Sequence, residues 1–172
     1  SEGLVSLGYT YIPQDLDRKP ATVKGFGRIK WRDYQKRGLS PTEASGFPQY
    51  FSSKNVAIVI GPHTGLCVLD IDVTNADLAD RIMQLADRML GRSPVIRVGR
   101  APKIAIFYRA SDVQKRAFPL LDTDGRHLFA DSRGALIRRV DGEDPPYGSD
   151  AQVIEVIGPA SGGLITAYGT HH

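Results

Sequence analysis

Cysteine is nearly absent from this 172-residue chain, and the one present, Cys67, lies inside the apolar run Leu66-Cys67-Val68-Leu69. A lone thiol excludes an intramolecular disulfide framework and any Cys-rich zinc site, and its place in the run assigns it to core packing. Long apolar stretches are missing as well. No segment approaches the roughly 18 consecutive apolar residues of a membrane span, and Ser1-Glu2-Gly3 has no basic-then-apolar leader. The expectation is an intracellular, cytoplasmic chain with no membrane partner. Net charge is small: 22 basic against 19 acidic residues leave +3, which mildly favours a polyanionic partner. With 41% hydrophobic residues the chain is long enough to build one cored domain of two lobes rather than remain disordered. The start at Ser1 and the end at His171-His172 read as a piece excised from a longer chain, with the two histidines a candidate tag.

What is present is a series of short, well-punctuated elements. Gly8 to Pro13 reads as a strand, followed by the basic, Gly-rich loop Arg18 to Gly27. Ile29 to Arg37 has a helical pattern. Ser40-Pro41-Thr42-Glu43 has the cap, first-turn proline and third-position glutamate of a helix start, and Gly46 and Pro48 keep that helix short. The apolar runs Val56 to Ile60 and Leu66 to Ile71, joined by a turn at His63-Thr64-Gly65, predict two buried strands paired as a hairpin. Thr74 or Asn75 then caps a helix whose stripe of Leu78, Ile82, Leu85 and Met89 faces the core, with Met83 and Met89 as filler and Gly91 as the stop. Strands follow at Val95 to Val98 and Ile104 to Tyr108, then at Gln152 to Ile157 and Leu164 to Tyr168. Residues 110 to 148 form a peripheral β excursion with a loop at Asp141 to Pro146. Strands dominate without regular strand-helix alternation, so the fold class is α+β, a mixed or antiparallel sheet with flanking helices. The lobes divide at about residue 65, with the catalytic core over 66–172.

Asp70-Ile71-Asp72 ends the second apolar run. Strand alternation puts both carboxylates on one face, away from Ile71, where they suit a hard cation such as Mg²⁺ or Mn²⁺. The competing explanation is a pair of strand-end carboxylates capping the next helix. Glu155, amid apolar residues in QVIEVI, is expensive to bury unless paired or metal-bound, and otherwise faces solvent. Three such carboxylates fit two-metal phosphoryl chemistry. Between them lies Arg97-Val98-Gly99-Arg100-Ala101-Pro102-Lys103, a turn whose cations match triphosphate oxygens, Arg as a fork and Lys as a point charge, with Gly99 allowing close backbone approach. An ordinary solvated turn would look the same.

The order of a K-P…K-G-F loop, an apolar strand, G-P-x-T-G-L-x-V-L-D-I-D, R-V-G-R-A-P-K, E-V-I-G and A-Y-G-T-H resembles the bifunctional primase/polymerase domains of the archaeo-eukaryotic primase superfamily, found in phage and plasmid replication proteins. The resemblance runs from about Gly8 to His171 as a single domain. It implies an RRM-like primase fold and a DNA primase/polymerase that joins nucleoside triphosphates at a 3′-hydroxyl, with a single-stranded template and primer as partners and a fused or associated helicase. It implies that Asp70, Asp72 and Glu155 hold Mg²⁺ or Mn²⁺, and that Arg97, Arg100, Lys103 and His171 bind nucleotide. Departures are specific. The Ser-x-His motif of many members has no histidine here, leaving Lys103 in its role, and the glutamine usual before the counterpart of His171 and the Pro-rich continuation after it are absent. Lys19 and Lys24, with Phe26 in the aromatic place, resemble the N-terminal loop that contacts template or nucleotide; exposed lysines are also simply the default. His63, in a turn beside the D-I-D strand, reads as a surface histidine rather than one that approaches the site, and His127 lies in the unassigned excursion.

Two other readings compete. Leu69 to Thr74 also fits D-x-D-x-T of haloacid dehalogenase-like phosphatases, with Asp70 as nucleophile, but that motif belongs to an alternating α/β chain and the acidic segment Asp141 to Asp150 matches only loosely. A DxD glycosyltransferase would use the same metal logic in a longer chain. The non-enzymatic alternative is a nucleic-acid-binding module that keeps the primase fold with impaired catalysis.

Overall fold

The computed structural model describes residues 8–17, 19–137 and 148–168. His171 and the loop expected at Asp141 to Pro146 lie outside the described residues. The architecture is α+β, built among the described residues from three α-helices and several small sheets, antiparallel where the partner register is defined. Among the described residues no helix is long and apolar enough to cross a membrane.

The chain divides into two compact units. The first takes in residues up to Cys67, a short return at Arg109–Gln114, and the segment from Ile157 onward. Its sheet has strands β1 (Tyr11–Gln14), β4 (Asn55–Ile60) and β13 (Gly163–Tyr168), with β4 in the centre. All six residues of β4 are buried, as a continuous apolar run requires of a strand covered on both faces. Both neighbours run antiparallel to it, Tyr11 opposite Ile58 and Leu164 opposite Val59. The small hairpin β2 (Thr22–Val23) and β3 (Gly27–Arg28) follows β1. Helices α1 (Trp31–Arg37) and α2 (Pro41–Gly46) complete the unit, with Tyr11, Ile12, Tyr34 and Phe47 in its core.

The expected capping box is present. Ser40 Oγ accepts from the Glu43 N–H at 3.3 Å, and the Ser40 N–H donates back to Glu43 Oε2 at 2.8 Å. The same carboxylate receives both forks of Arg37, at 2.7 and 2.8 Å, and the Tyr34 hydroxyl at 2.7 Å. The Arg37 bonds hold its pKa far below the usual carboxylate range. Burial and the bond to Glu43 push the Tyr34 phenol up to about 12.

The two apolar runs do not form the expected hairpin. β4 belongs to the first sheet, whereas β5 (Leu66–Asp72) is the middle strand of a separate five-stranded sheet ordered β6 (Ile96–Val98), β7 (Ile104–Arg109), β5, β12 (Val153–Ile157), β8 (Arg116–Pro119). Each run needs two strand neighbours to bury both edges, and each finds them elsewhere in the chain. β4 takes β13 beside β1, and β5 takes β7 and β12.

This second sheet is the frame of the second unit, residues Val68–Tyr108 and Lys115–Val156. Its other strands are β6 (Ile96–Val98), β7 (Ile104–Arg109), β8 (Arg116–Pro119) and β12 (Val153–Ile157). The excursion therefore is not wholly peripheral, because β8 pairs antiparallel with β12, Ala117 opposite Glu155. Its remainder forms a three-stranded ribbon of β10 (Leu136–Ile137), β9 (Phe129–Ala130) and β11 (Asp150–Ala151).

Helix α3 (Ala76–Leu90) starts at Asn75, whose side chain accepts from the Leu78 N–H at 2.9 Å, and stops at Gly91 as expected. Its buried stripe differs from the expected one. Ala79 and Ala86 are buried, and Leu78, Ile82 and Met83 partly buried, against Ile71, Val73 and Ile106, while Leu85 and Met89 are 50% and 75% exposed. The small alanines let the helix approach closely and centre the contact on themselves. Leu85 and Met89 lie about 80–120° around the helix from Ala79, at the flank of that contact.

Candidate active site

Ile71 and Val73 point into the α3 core, so alternation directs Asp70 and Asp72 to the opposite face of β5. The register of β6 on β7 places its cation there too. Ile96 lies opposite Ile106, a member of the α3 core, and Arg97 opposite Ala105, so Arg97 stands on the carboxylate face. β12, which carries Glu155, is the direct neighbour of β5.

The acids sense one another. Burial raises the Asp70 pKa first, and the negative charges of Asp72 and Glu155 raise it further, against the lowering pull of Arg97 and Lys103. Two lysines tie off the outer acids. Lys103 Nζ lies 2.6 Å from Asp72 Oδ1 and 3.6 Å from Asp150 Oδ2, and Lys115 Nζ lies 3.2 Å from Glu155 Oε1. Among the described residues no three His, Cys, Asp or Glu side chains converge as a ready-made metal cage. The donor set nevertheless suits a magnesium-like ion. Such ions take one or two carboxylates and complete their shell with water and substrate phosphate, and hard carboxylate oxygens are the donors they prefer.

Gly99 also bears on the placement of Arg97. A Cβ there would meet Arg97 Nη2 at 3.0 Å, so the missing side chain leaves room for the guanidinium to fold back over the turn. The turn is closed by Gly99 N–H to Lys103 O at 3.2 Å and Lys103 N–H to Arg100 O at 3.0 Å, with a cis peptide at Ala101-Pro102. Arg100 and Lys103 line a cleft of about 250 Å³ that also contains Thr74, Asp131, Arg133 and Asp150.

Comparison with known proteins finds no family profile that matches this chain and no curated protein similar to it.

Three residues of this region carried no chemical motif in the sequence. Arg133 rides on a turn in which the Asp131 carboxylate accepts from the N–H groups of Arg133 at 2.8 Å and Ala135 at 2.9 Å. Gly134, at φ 82°, lies so close to Thr74 that a Cβ would stand 2.5 Å from the Thr74 carbonyl oxygen. The Asp131-x-x-Gly134 spacing is the turn signal that would have found this loop. Lys115 is the partner of Glu155. Gln152, 1% exposed, accepts the Thr74 N–H at 2.8 Å and donates to Thr74 Oγ1 at 3.0 Å and to the Asp150 carbonyl at 2.7 Å, fastening the segment before α3 to the segment before β12.

The structure thus gathers Asp70, Asp72, Glu155, Arg97 and Lys103 on one unit, with Arg100 beside Lys103 at the cleft. Lys19, Lys24 and His63 belong to the first unit. Lys19 pairs with Asp17 at 2.8 Å, and His63 is an exposed turn residue. His127 forms a bridge pair with Leu121 in the excursion.

Proposed function

We propose that the chain is a metal-dependent DNA primase/polymerase domain that joins nucleoside triphosphates at a 3′-hydroxyl on a nucleic-acid template in the cytoplasm. The observation that carries this reading is a half-buried Asp70 whose charge is opposed by Asp72 and Glu155, beside a lysine that touches both Asp72 and a cation-lined cleft. The motif order resembling primase/polymerase domains supports it from the sequence side.

Asp70, Asp72 and Glu155 would hold Mg²⁺ or Mn²⁺, which when bound supplies activation of the attacking oxygen and neutralisation of the leaving pyrophosphate. The chain's own residues do the rest. Arg97, Arg100 and Lys103 receive the triphosphate, and Arg133 faces the same cleft and adds a fourth cation. Lys103 exchanges Asp72 for a phosphate oxygen when nucleotide arrives, freeing that carboxylate at the moment it is needed. Lys115 holds Glu155 in an ion pair until the metal arrives.

The test is template-directed primer extension and de novo primer synthesis with Mg²⁺ and with Mn²⁺. Wild type adds nucleotides, and Asp70→Asn and Asp72→Asn do not, although both remain folded. Phosphate release from simple monoesters through a trapped aspartyl-phosphate at Asp70, with no nucleotide incorporated under either metal, would overturn the assignment in favour of a phosphatase.

A further inference from the structure

Residues 19–37 contain seven lysines and arginines and one acid, Asp33, for a net +6, whereas the whole chain carries +3. The remainder is therefore at −3, so the positive charge is concentrated in one stretch of the first unit. Arg28 and Lys30 flank the buried Ile29 and are both exposed, which puts them on the same side of an extended segment. Arg32 and Lys36, also exposed, follow on α1 at the i, i+4 spacing of one helix face. Lys24, at the β2–β3 turn, is exposed as well. Arg37 is bound to Glu43 and Lys19 to Asp17, but Lys24, Arg28, Lys30, Arg32 and Lys36 have no acidic partner among the described residues. Arg32 lies over the half-buried ring of Trp31, 5.1 Å from its centroid, which holds the guanidinium at the surface of the unit.

We infer that Arg28, Lys30, Arg32 and Lys36 form a phosphodiester-binding track for single-stranded nucleic acid. The track rests on the polymerase reading for the strand's role as template, and on charge placement alone for binding. Like charges kept adjacent and unpaired repel one another in the free protein and are relieved by a polyanion. Arg28 and Lys30 are about 6.6 Å apart along an extended segment, close to the phosphate repeat of a stretched nucleotide chain. A track of side chains that meets phosphates only gives binding without base preference and with strong salt dependence.

The measurement is binding of a labelled single-stranded oligodeoxynucleotide to the full chain in EDTA over a series of salt concentrations. Replacing Arg28, Lys30, Arg32 and Lys36 together with Ala lowers affinity by about ten- to a hundredfold near physiological salt. It also flattens the log K against log salt slope by about 3, from roughly 0.7 per phosphate contact on a single strand. The double change Arg28→Gln with Lys36→Gln removes about half of that slope and serves if the quadruple variant does not fold. Arg88→Ala, at an exposed cation of the second unit outside the track, binds as wild type. Unchanged affinity and slope in the folded variants, no binding by wild type, or binding to phosphatidylserine vesicles but not to the oligonucleotide overturns the inference. A wild type that binds through the track but never extends a primer sinks the polymerase reading and leaves the track standing. A wild type that extends while the variants bind normally does the reverse.

Discussion

Asp70 carries an electrostatic cost in the metal-free protein, because burial and two acidic neighbours raise its pKa above the ordinary value. A carboxylate raised in the folded state destabilises the fold at neutral pH by the work of ionising it there. Asp70→Asn removes that work, so the metal-free variant is expected to melt above wild type. Mn²⁺ then raises the melting temperature of wild type and not of the variant. A variant that melts lower without metal would mean the charge is compensated where it stands. Glu43 has the opposite sign. Its folded pKa is depressed, chiefly by Arg37, so its contribution is fully present above the unfolded value of about 4.3 and fades as pH falls through the folded value. The stability gap between wild type and Glu43→Gln, followed by fluorescence of the single Trp31, should shrink between about pH 5 and pH 2. A gap that stays constant over that range would show that the carboxylate's charge is not what the network uses. At this scale the acids and the Arg97 to Lys103 turn were legible because charged residues interrupt apolar strands. Arg133, Lys115 and Gln152 were not, because each acquires its role from a partner far away in sequence.

The elements themselves follow local chemistry closely. Both helix starts with a side-chain cap, at Ser40 and Asn75, and the stop at Gly91 lie where the sequence puts them, since caps are decided within four residues. Strand pairing is decided elsewhere, and the expected hairpin of β4 and β5 failed for that reason: two apolar runs joined by a turn are equally able to seek other neighbours. The burial of α3 depends likewise on what it meets, and Leu85 and Met89 belong to its flank. Besides the apolar packing of α3 on the sheet, Gln152 ties the start of the helix to the segment before β12 by hydrogen bonds. Gln152→Leu would leave the Thr74 N–H and the Asp150 carbonyl without their side-chain partner and is expected to cost about 1–3 kcal/mol, the scale of one fully buried polar group orphaned, because both bonds are only partly buried. Met89→Ser should stay within about 0.5 kcal/mol. Urea denaturation of the two variants checks both, and equal losses would mean that the apolar flank, not the glutamine, anchors the helix.

For the whole chain, β13 is the strand that completes the first sheet. Removing residues 163–172 strips β4 of one of its two partners and uncovers a strand whose every residue is buried. The truncated chain is expected to lose the cooperative Trp31 fluorescence transition of the first unit, read by thermal melting. A normal transition would show that β1 alone supports β4. The same pairing bears on synthesis at the ribosome. β4 ends at Ile60 and β13 begins at Gly163, 163 − 60 = 103 positions later. At about 5–20 residues per second the nascent chain takes roughly 5–20 s to supply that strand. Through that interval β1 and β4 can pair, but the other edge of β4 has no partner yet made. A chaperone that shields exposed strand edges, or wide spacing of ribosomes along the message, would keep neighbouring nascent chains from pairing there first.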